Sequence, residues 1–128
     1  MDEDIKVLLV DDEADFRQVM TFWLESKGYK VIPAKDGQEA IDSARDNKPD
    51  IIFLDLNMPN IDGFEALKKI REFEKNTPVI LISAYVEDKR MKEIMNYGVS
   101  GVFYKGKDFQ EGLSLLESAL RTHKKLRK

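Results

Sequence analysis

Five polar residues that lie far apart in the chain share one local setting. Asp11 with Asp12, Asp55, Ser83 and Lys105 each stand directly after a short, mostly apolar run: Ile5-Lys6-Val7-Leu8-Leu9-Val10, Ile51-Ile52-Phe53-Leu54, Pro78-Val79-Ile80-Leu81-Ile82 and Gly101-Val102-Phe103-Tyr104. Three carboxylates brought together repel one another, and a hard divalent cation such as Mg2+ relieves that repulsion through oxygen ligands. A lysine and a hydroxyl beside them would hold anionic oxygens. The combination suits phosphoryl transfer. No general base of suitable pKa accompanies the set, so the natural nucleophile is a carboxylate, as in aspartyl-phosphate chemistry. Asp55 is the best placed, because it ends the run that reads as a central strand. Each residue taken alone has an ordinary reading, as a helix cap, a turn residue or a solvated charge. Those readings leave unexplained why all of them fall at the carboxyl ends of strands.

The elements that must position this set alternate regularly. Short runs rich in β-branched and aromatic residues, bounded by turn residues, read as strands buried on both faces. Between them the apolar spacing becomes helical. Phe16, Val19, Met20, Trp23 and Leu24 form a stripe stopped by Gly28. Ala40, Ile41 and Ala44 follow Asp36-Gly37, and Phe64, Leu67 and Ile70 follow Asp62-Gly63. A weaker stripe of Met91, Ile94 and Met95 lies in a helix expected over Glu87–Asn96, and Phe109, Leu113, Leu116 and Leu120 mark the last helix. Tyr29-Lys30-Val31-Ile32-Pro33-Ala34 reads as a strand that Pro33 favours for a sheet edge. Five βα units with short connections imply an α/β fold: a doubly wound parallel sheet with helices on both faces. In such sheets ligands bind outside the carboxyl ends of the strands.

Bulk properties narrow the function further. At 128 residues the chain reads as a single domain, 1–128, with a core over about 5–122 and a basic end at 121–128. A net charge of −3 is too small to suggest nucleic-acid or membrane binding by the whole chain. There is no cysteine, so disulfides, thiolate chemistry and cysteine zinc sites are excluded. The single histidine, His123, leaves no histidine metal site. An acidic start, Met1-Asp2-Glu3-Asp4, and no apolar run of membrane-spanning length lead to the expectation of a cytoplasmic protein.

At the same residues the chain resembles the receiver domain of two-component response regulators. Val7-Leu8-Leu9-Val10-Asp11-Asp12-Glu13 is similar to the family's acidic-pair motif. Phe53-Leu54-Asp55-Leu56-Asn57-Met58-Pro59-Asn60-Ile61-Asp62-Gly63 is similar to its phosphorylation-site motif. Ile82-Ser83-Ala84 and Lys105 match its hydroxyl and its lysine. The resemblance implies a flavodoxin-like sheet of order 2-1-3-4-5. It also implies that Asp55 accepts a phosphoryl group from a histidine kinase or phosphotransfer protein. Asp12, Asp55 and the main-chain carbonyl of Asn57 would then bind Mg2+ directly, Asp11 would act through water, and Ser83 and Lys105 would hold phosphoryl oxygens. Such a protein turns over once on itself and switches partner binding, and is no enzyme toward other substrates. Two other readings stand beside it: a degenerate receiver working as a constitutive interaction module, and a small aspartyl-phosphate phosphatase. The second would need a carboxylate where Asn57 stands.

Two positions depart from the family pattern. Val102 stands where an aromatic switch residue is usual, and Gly106 where proline follows the lysine. Strand alternation points residues 102 and 104 the same way, so Tyr104 is the expected substitute in an output face formed by the Glu87–Asn96 helix, the last strand and the last helix. A cis bond before a non-proline residue costs about 2.5–4 kcal/mol, so Lys105-Gly106 is expected to be trans, with Gly106 at positive φ. Asn57 and Tyr85 are expected to flank the path of attacking water.

Overall fold

A computed structural model describes residues 4–84 and 89–122. Strands β1 (Lys6–Val10), β2 (Lys30–Ala34), β3 (Ile51–Asp55), β4 (Val79–Ser83) and β5 (Val99–Tyr104) form one sheet. They alternate with helices α1 (Ala14–Ser26), α2 (Gly37–Asn47), α3 (Gly63–Phe73), α4 (Met91–Ile94) and α5 (Phe109–Thr122). All pairings are parallel, in the order β2-β1-β3-β4-β5. The doubly wound, flavodoxin-like arrangement read from the sequence is the one observed, with Pro33 on an edge strand.

The strict alternation of a β-strand sorts the core into two layers. Leu8, Val10, Ile52, Leu54, Val79 and Leu81 pack with residues of α2, α3 and α4. Val7, Leu9, Ile51, Phe53, Ile80, Ile82 and Phe103 pack with residues of α1 and α5. Both faces of the three central strands are therefore dry, which is why their sequences are continuous apolar runs. Extending the same parity, Asp11, Asp55 and Lys105 continue the α1/α5 face, while Ser83 continues the other.

Two apolar stripes differ from expectation. In α1, Phe16, Met20, Trp23 and Leu24 turn inward, but Val19 is exposed, as is Phe22 at 76%. Among the described residues the sheet and α5 are what face this helix, so the buried stripe is narrower than its apolar spacing. The α4 helix is a single turn that tightens into a 3-10 turn at Met95–Tyr97. That change of period keeps Ile94 buried and leaves Met95 exposed. Glu87, where this helix was expected to begin, lies outside the described residues.

Two polar ties fasten α4 to α3. Asp62 caps α3 by accepting from the Glu65 amide at 2.9 Å, and Glu65 returns a bond to the Asp62 amide. The second oxygen of Asp62 pairs with Arg90 Nη1 at 2.8 Å, just before α4. At the other end Arg71 donates to the carbonyls of Tyr97, Gly98 and Glu74. Tyr97 also stands edge-on to Phe64 of α3, with ring centroids 5.3 Å apart.

The start of α3 lies so close to the end of β3 that only glycine fits there. A Cβ at Gly63 would fall 2.1 Å from the Asp55 carbonyl oxygen and 2.7 Å from Leu56 Cα. Those are backbone atoms that no rotamer change can move aside. Gly63→Ala is expected to cost on the order of 2–4 kcal/mol in urea unfolding, by forcing α3 away from the strand that carries Asp55.

Candidate functional site

The carboxyl edge of the sheet gathers the predicted residues by register. Val10 lies beside Leu54 and Ala34, so Asp11 emerges next to Asp55, and the Asp11 amide bonds the Ala34 carbonyl at 3.1 Å. Asp55 pairs with Ile82, one residue short of Ser83, which itself lies beside Tyr104. The Lys105 amide then donates to the Ser83 carbonyl at 2.9 Å, fixing where the lysine leaves the sheet. Ser83 is fully buried, and Asn57 is exposed in the loop after β3.

Asp11 and Asp55 are buried carboxylates held in the same way. Each turns Oδ1 onto the amide two residues ahead: Asp11 accepts from Glu13 at 2.8 Å and Asp55 from Asn57 at 3.0 Å. These Asx turns leave the two Oδ2 atoms without a hydrogen-bond partner. Asp11 Oδ2 is within 3.0 Å of Lys105 Nζ, but off the alignment a hydrogen bond needs. Asp12 is exposed at the rim, and carboxylate oxygens of Asp11, Asp12 and Asp55 lie within 4.8 Å of one another. Orphaned buried oxygens facing a third carboxylate form a donor set that fits a hard divalent cation.

Lys105 closes the group from the other side. Its Nζ donates to Asp11 Oδ1 at 3.3 Å and to Glu13 Oε1, and lies 3.0 Å from Asp11 Oδ2 and 3.5 Å from Asp55 Oδ2. It also lies 4.9 Å from the ring centroid of Phe16. Phe16 in turn stands edge-on to Phe109, which adjoins Trp23 and Phe103. The lysine thus rests on an aromatic cluster linking α1, β5 and α5. Glu13 and Phe16 were not singled out as site residues by the sequence. Glu13 entered only as the last residue of the acidic-pair motif, and Phe16 as one of a core stripe. The available signal was proximity in the chain, since Glu13 follows the acidic pair directly at the same edge of the sheet.

The Lys105-Gly106 peptide is trans, and Gly106 has φ +93°, a left-handed conformation that side chains rarely adopt. Glycine therefore turns the chain after the lysine, as expected. Tyr85 lies outside the described residues.

Residues 7–117 match the family described as response regulator receiver domain. The chain belongs to that family. Its receiver domain is 32% identical to the sporulation initiation phosphotransferase F of Bacillus subtilis, over 83% of this chain and 86% of that protein. It superposes on the chemotaxis protein CheY4 of Vibrio cholerae with a TM-score of 0.87 at 32% identity, covering 92% of this chain and all of the other. A CheX–CheY–BeF3–Mg2+ complex from Borrelia burgdorferi contains a chain 33% identical, with a TM-score of 0.85, covering 91% of this chain and 89% of that one. Against two longer curated relatives the receiver domain spans only 25% and 42% of their length. Among the described residues, no helix is long and apolar enough to cross a membrane.

Burial dominates the electrostatics of this receiver site. It pushes the Asp55 carboxyl up to about 7, opposed by the Asn57 amide and reinforced by the Asp11 charge. Burial likewise raises Asp11, against its bonds to Glu13 and Lys105. Desolvation alone would lower the Lys105 ammonium, but its bonds to Glu13 and Asp11 and the charge of Asp55 raise it instead. A carboxyl raised above its unfolded value of 3.8 favours the fold fully below that pH, and the benefit is lost as pH rises through about 7. Asp55→Asn is therefore expected to be more stable than wild type at pH 8 in chelator, on the order of 1–3 kcal/mol. Urea melts at pH 5 should show that advantage much reduced.

Proposed function

We propose that this receiver domain accepts a phosphoryl group on Asp55 from a histidine kinase or phosphotransfer protein, and that the modification switches its binding to a downstream protein. The observation that carries this reading is the orphaned, buried Oδ2 of Asp55, facing Lys105 Nζ on one side and the carboxylates of Asp11 and Asp12 on the other. Support comes from two relatives: one is named a phosphotransferase, and another is a chain of a CheX–CheY complex with BeF3 and Mg2+.

In this reading an Asp55 carboxylate oxygen attacks the phosphorus of a phosphohistidine. The O–P bond forms as the N–P bond breaks, and the imidazole leaves. Asp12, Asp55 and the Asn57 carbonyl would hold Mg2+ directly, with Asp11 acting through water. When bound, the ion would neutralise charge on the transferring oxygens. Lys105 and the Ser83 hydroxyl would hold the remaining phosphoryl oxygens. Asn57 would stand beside the path of the water that later hydrolyses the acyl phosphate. The chemistry is confined to the chain's own aspartate, so it is a switch and not a catalyst for other substrates.

The output face would comprise α4, β5 and α5. A single helical turn, held by buried Ile94 and a few polar contacts to α3, is the least costly element to shift. Val102 is half-buried on this face, where an aromatic ring is usual in the family.

Incubation with a small phosphodonor and Mg2+ should add the mass of one phosphoryl group, as read by intact-protein mass spectrometry. Asp55→Asn should abolish the labelling. Asp12→Ala and Lys105→Ala should each slow it, on the order of a hundredfold. Labelling of Asp55→Asn at the wild-type rate would overturn the assignment.

A further inference from the structure

We propose that Glu13 is a positioning residue that holds the Lys105 ammonium away from Asp55, so that delivery of the lysine to an incoming phosphoryl group requires breaking the Glu13 contact. The inference rests on the phosphoacceptor reading and deepens it.

Three carboxylates share Lys105 unequally. Its Nζ donates hydrogen bonds to Glu13 and to Asp11 Oδ1, whereas the nearest oxygen of Asp55, the proposed acceptor, lies 3.5 Å away without one. One of these two bonds thus goes to a residue outside the group of Asp11, Asp12 and Asp55. Burial makes the arrangement directional. The Lys105 side chain is only 16% exposed and lies over the Phe16 ring, so its ammonium cannot exchange an anionic partner for bulk water. Glu13 has a side chain 62% exposed, so it can let go and be solvated at little cost. The lysine moves from one anion to another, and the glutamate retires to solvent.

The Glu13 amide is bonded to Asp11 Oδ1, which sets its backbone beside the site. Glu13 precedes α1 without making any side-chain cap to it, so its carboxylate is committed to the lysine and not to the helix. The length of the side chain is also part of the device. Aspartate at this position would keep the charge but fall one methylene short of the ammonium.

That difference separates a positional effect from simple charge repulsion. The full chain, its Glu13→Gln and its Glu13→Asp variants would be titrated with beryllofluoride in saturating Mg2+ by calorimetry. The Lys105 ammonium would be followed in parallel by 15N-detected NMR, which a merely structural role for Glu13 would leave unmoved. Both variants are expected to bind the phosphoryl analogue about three- to tenfold more tightly than wild type, and to shift the Lys105 Nζ resonance before any analogue is added. Glu13→Asp behaving as wild type while Glu13→Gln binds tighter would overturn the positional account in favour of charge alone. An unchanged Nζ signal in both variants would also overturn it. Failure of the wild-type chain to bind beryllofluoride at all would count against the phosphoacceptor reading itself. In that case the Nζ signal still decides whether Glu13 holds the lysine.

Discussion

The structure is organised around two carboxylates that water does not reach. Asp11 and Asp55 sit at the ends of adjacent central strands, each satisfied on one oxygen by its own backbone and left open on the other. Removing two like charges from water and placing them side by side is unfavourable unless a cation or a proton answers them. Lys105 supplies part of that answer from the end of β5, two places across the sheet from β3 and three from β1. The site is therefore built under electrostatic tension, and its chemistry is a way of relieving it. The loops at this edge, the close approach of α3 to β3 and the aromatic bed under Lys105 all serve to keep those charges from drifting apart.

That tension explains why the surrounding framework is so apolar and so regular. A buried charge cluster would pull water into a loosely packed sheet. Here Val10, Leu54 and Leu81 on one face, and Leu9, Phe53 and Ile82 on the other, are fully buried immediately beneath the charged edge. Burying each such side chain contributes about 1.5–3 kcal/mol. The framework thus offsets the destabilisation that the site concentrates at one end of the strands.

Much of this was legible in the sequence because it follows from strand parity and from residues with few alternatives. Four apolar runs ending in polar residues define the edge, and β-strand alternation then decides which side chains converge. Gly106 was legible for a similar reason, since without proline a trans bond and a positive φ are the inexpensive way to turn. What could not be read was the outcome of competition among side chains. Periodicity placed Val19 on the α1 stripe, but how wide a stripe is buried depends on what covers it, and among the described residues that is α5 and the sheet. Met95 left its stripe because one turn of α4 tightened. Lys105 could be placed at the edge, but not the partner it prefers. That depends on Glu13, 92 positions earlier in the chain, reaching it over Phe16.

Asp62 illustrates how little latitude such a structure leaves at some surface positions. Its two oxygens serve different elements: one receives the Glu65 amide to start α3, the other receives Arg90 to anchor α4. Asparagine could perform the first task but brings no charge to the second. Glutamate could reach Arg90 but is a poorer helix cap, its carboxylate being one bond too far out. A half-exposed residue that touches neither the phosphoacceptor nor the lysine thereby carries two tasks that aspartate performs together. Through Arg90, the cap of one helix is linked to the anchoring of the next.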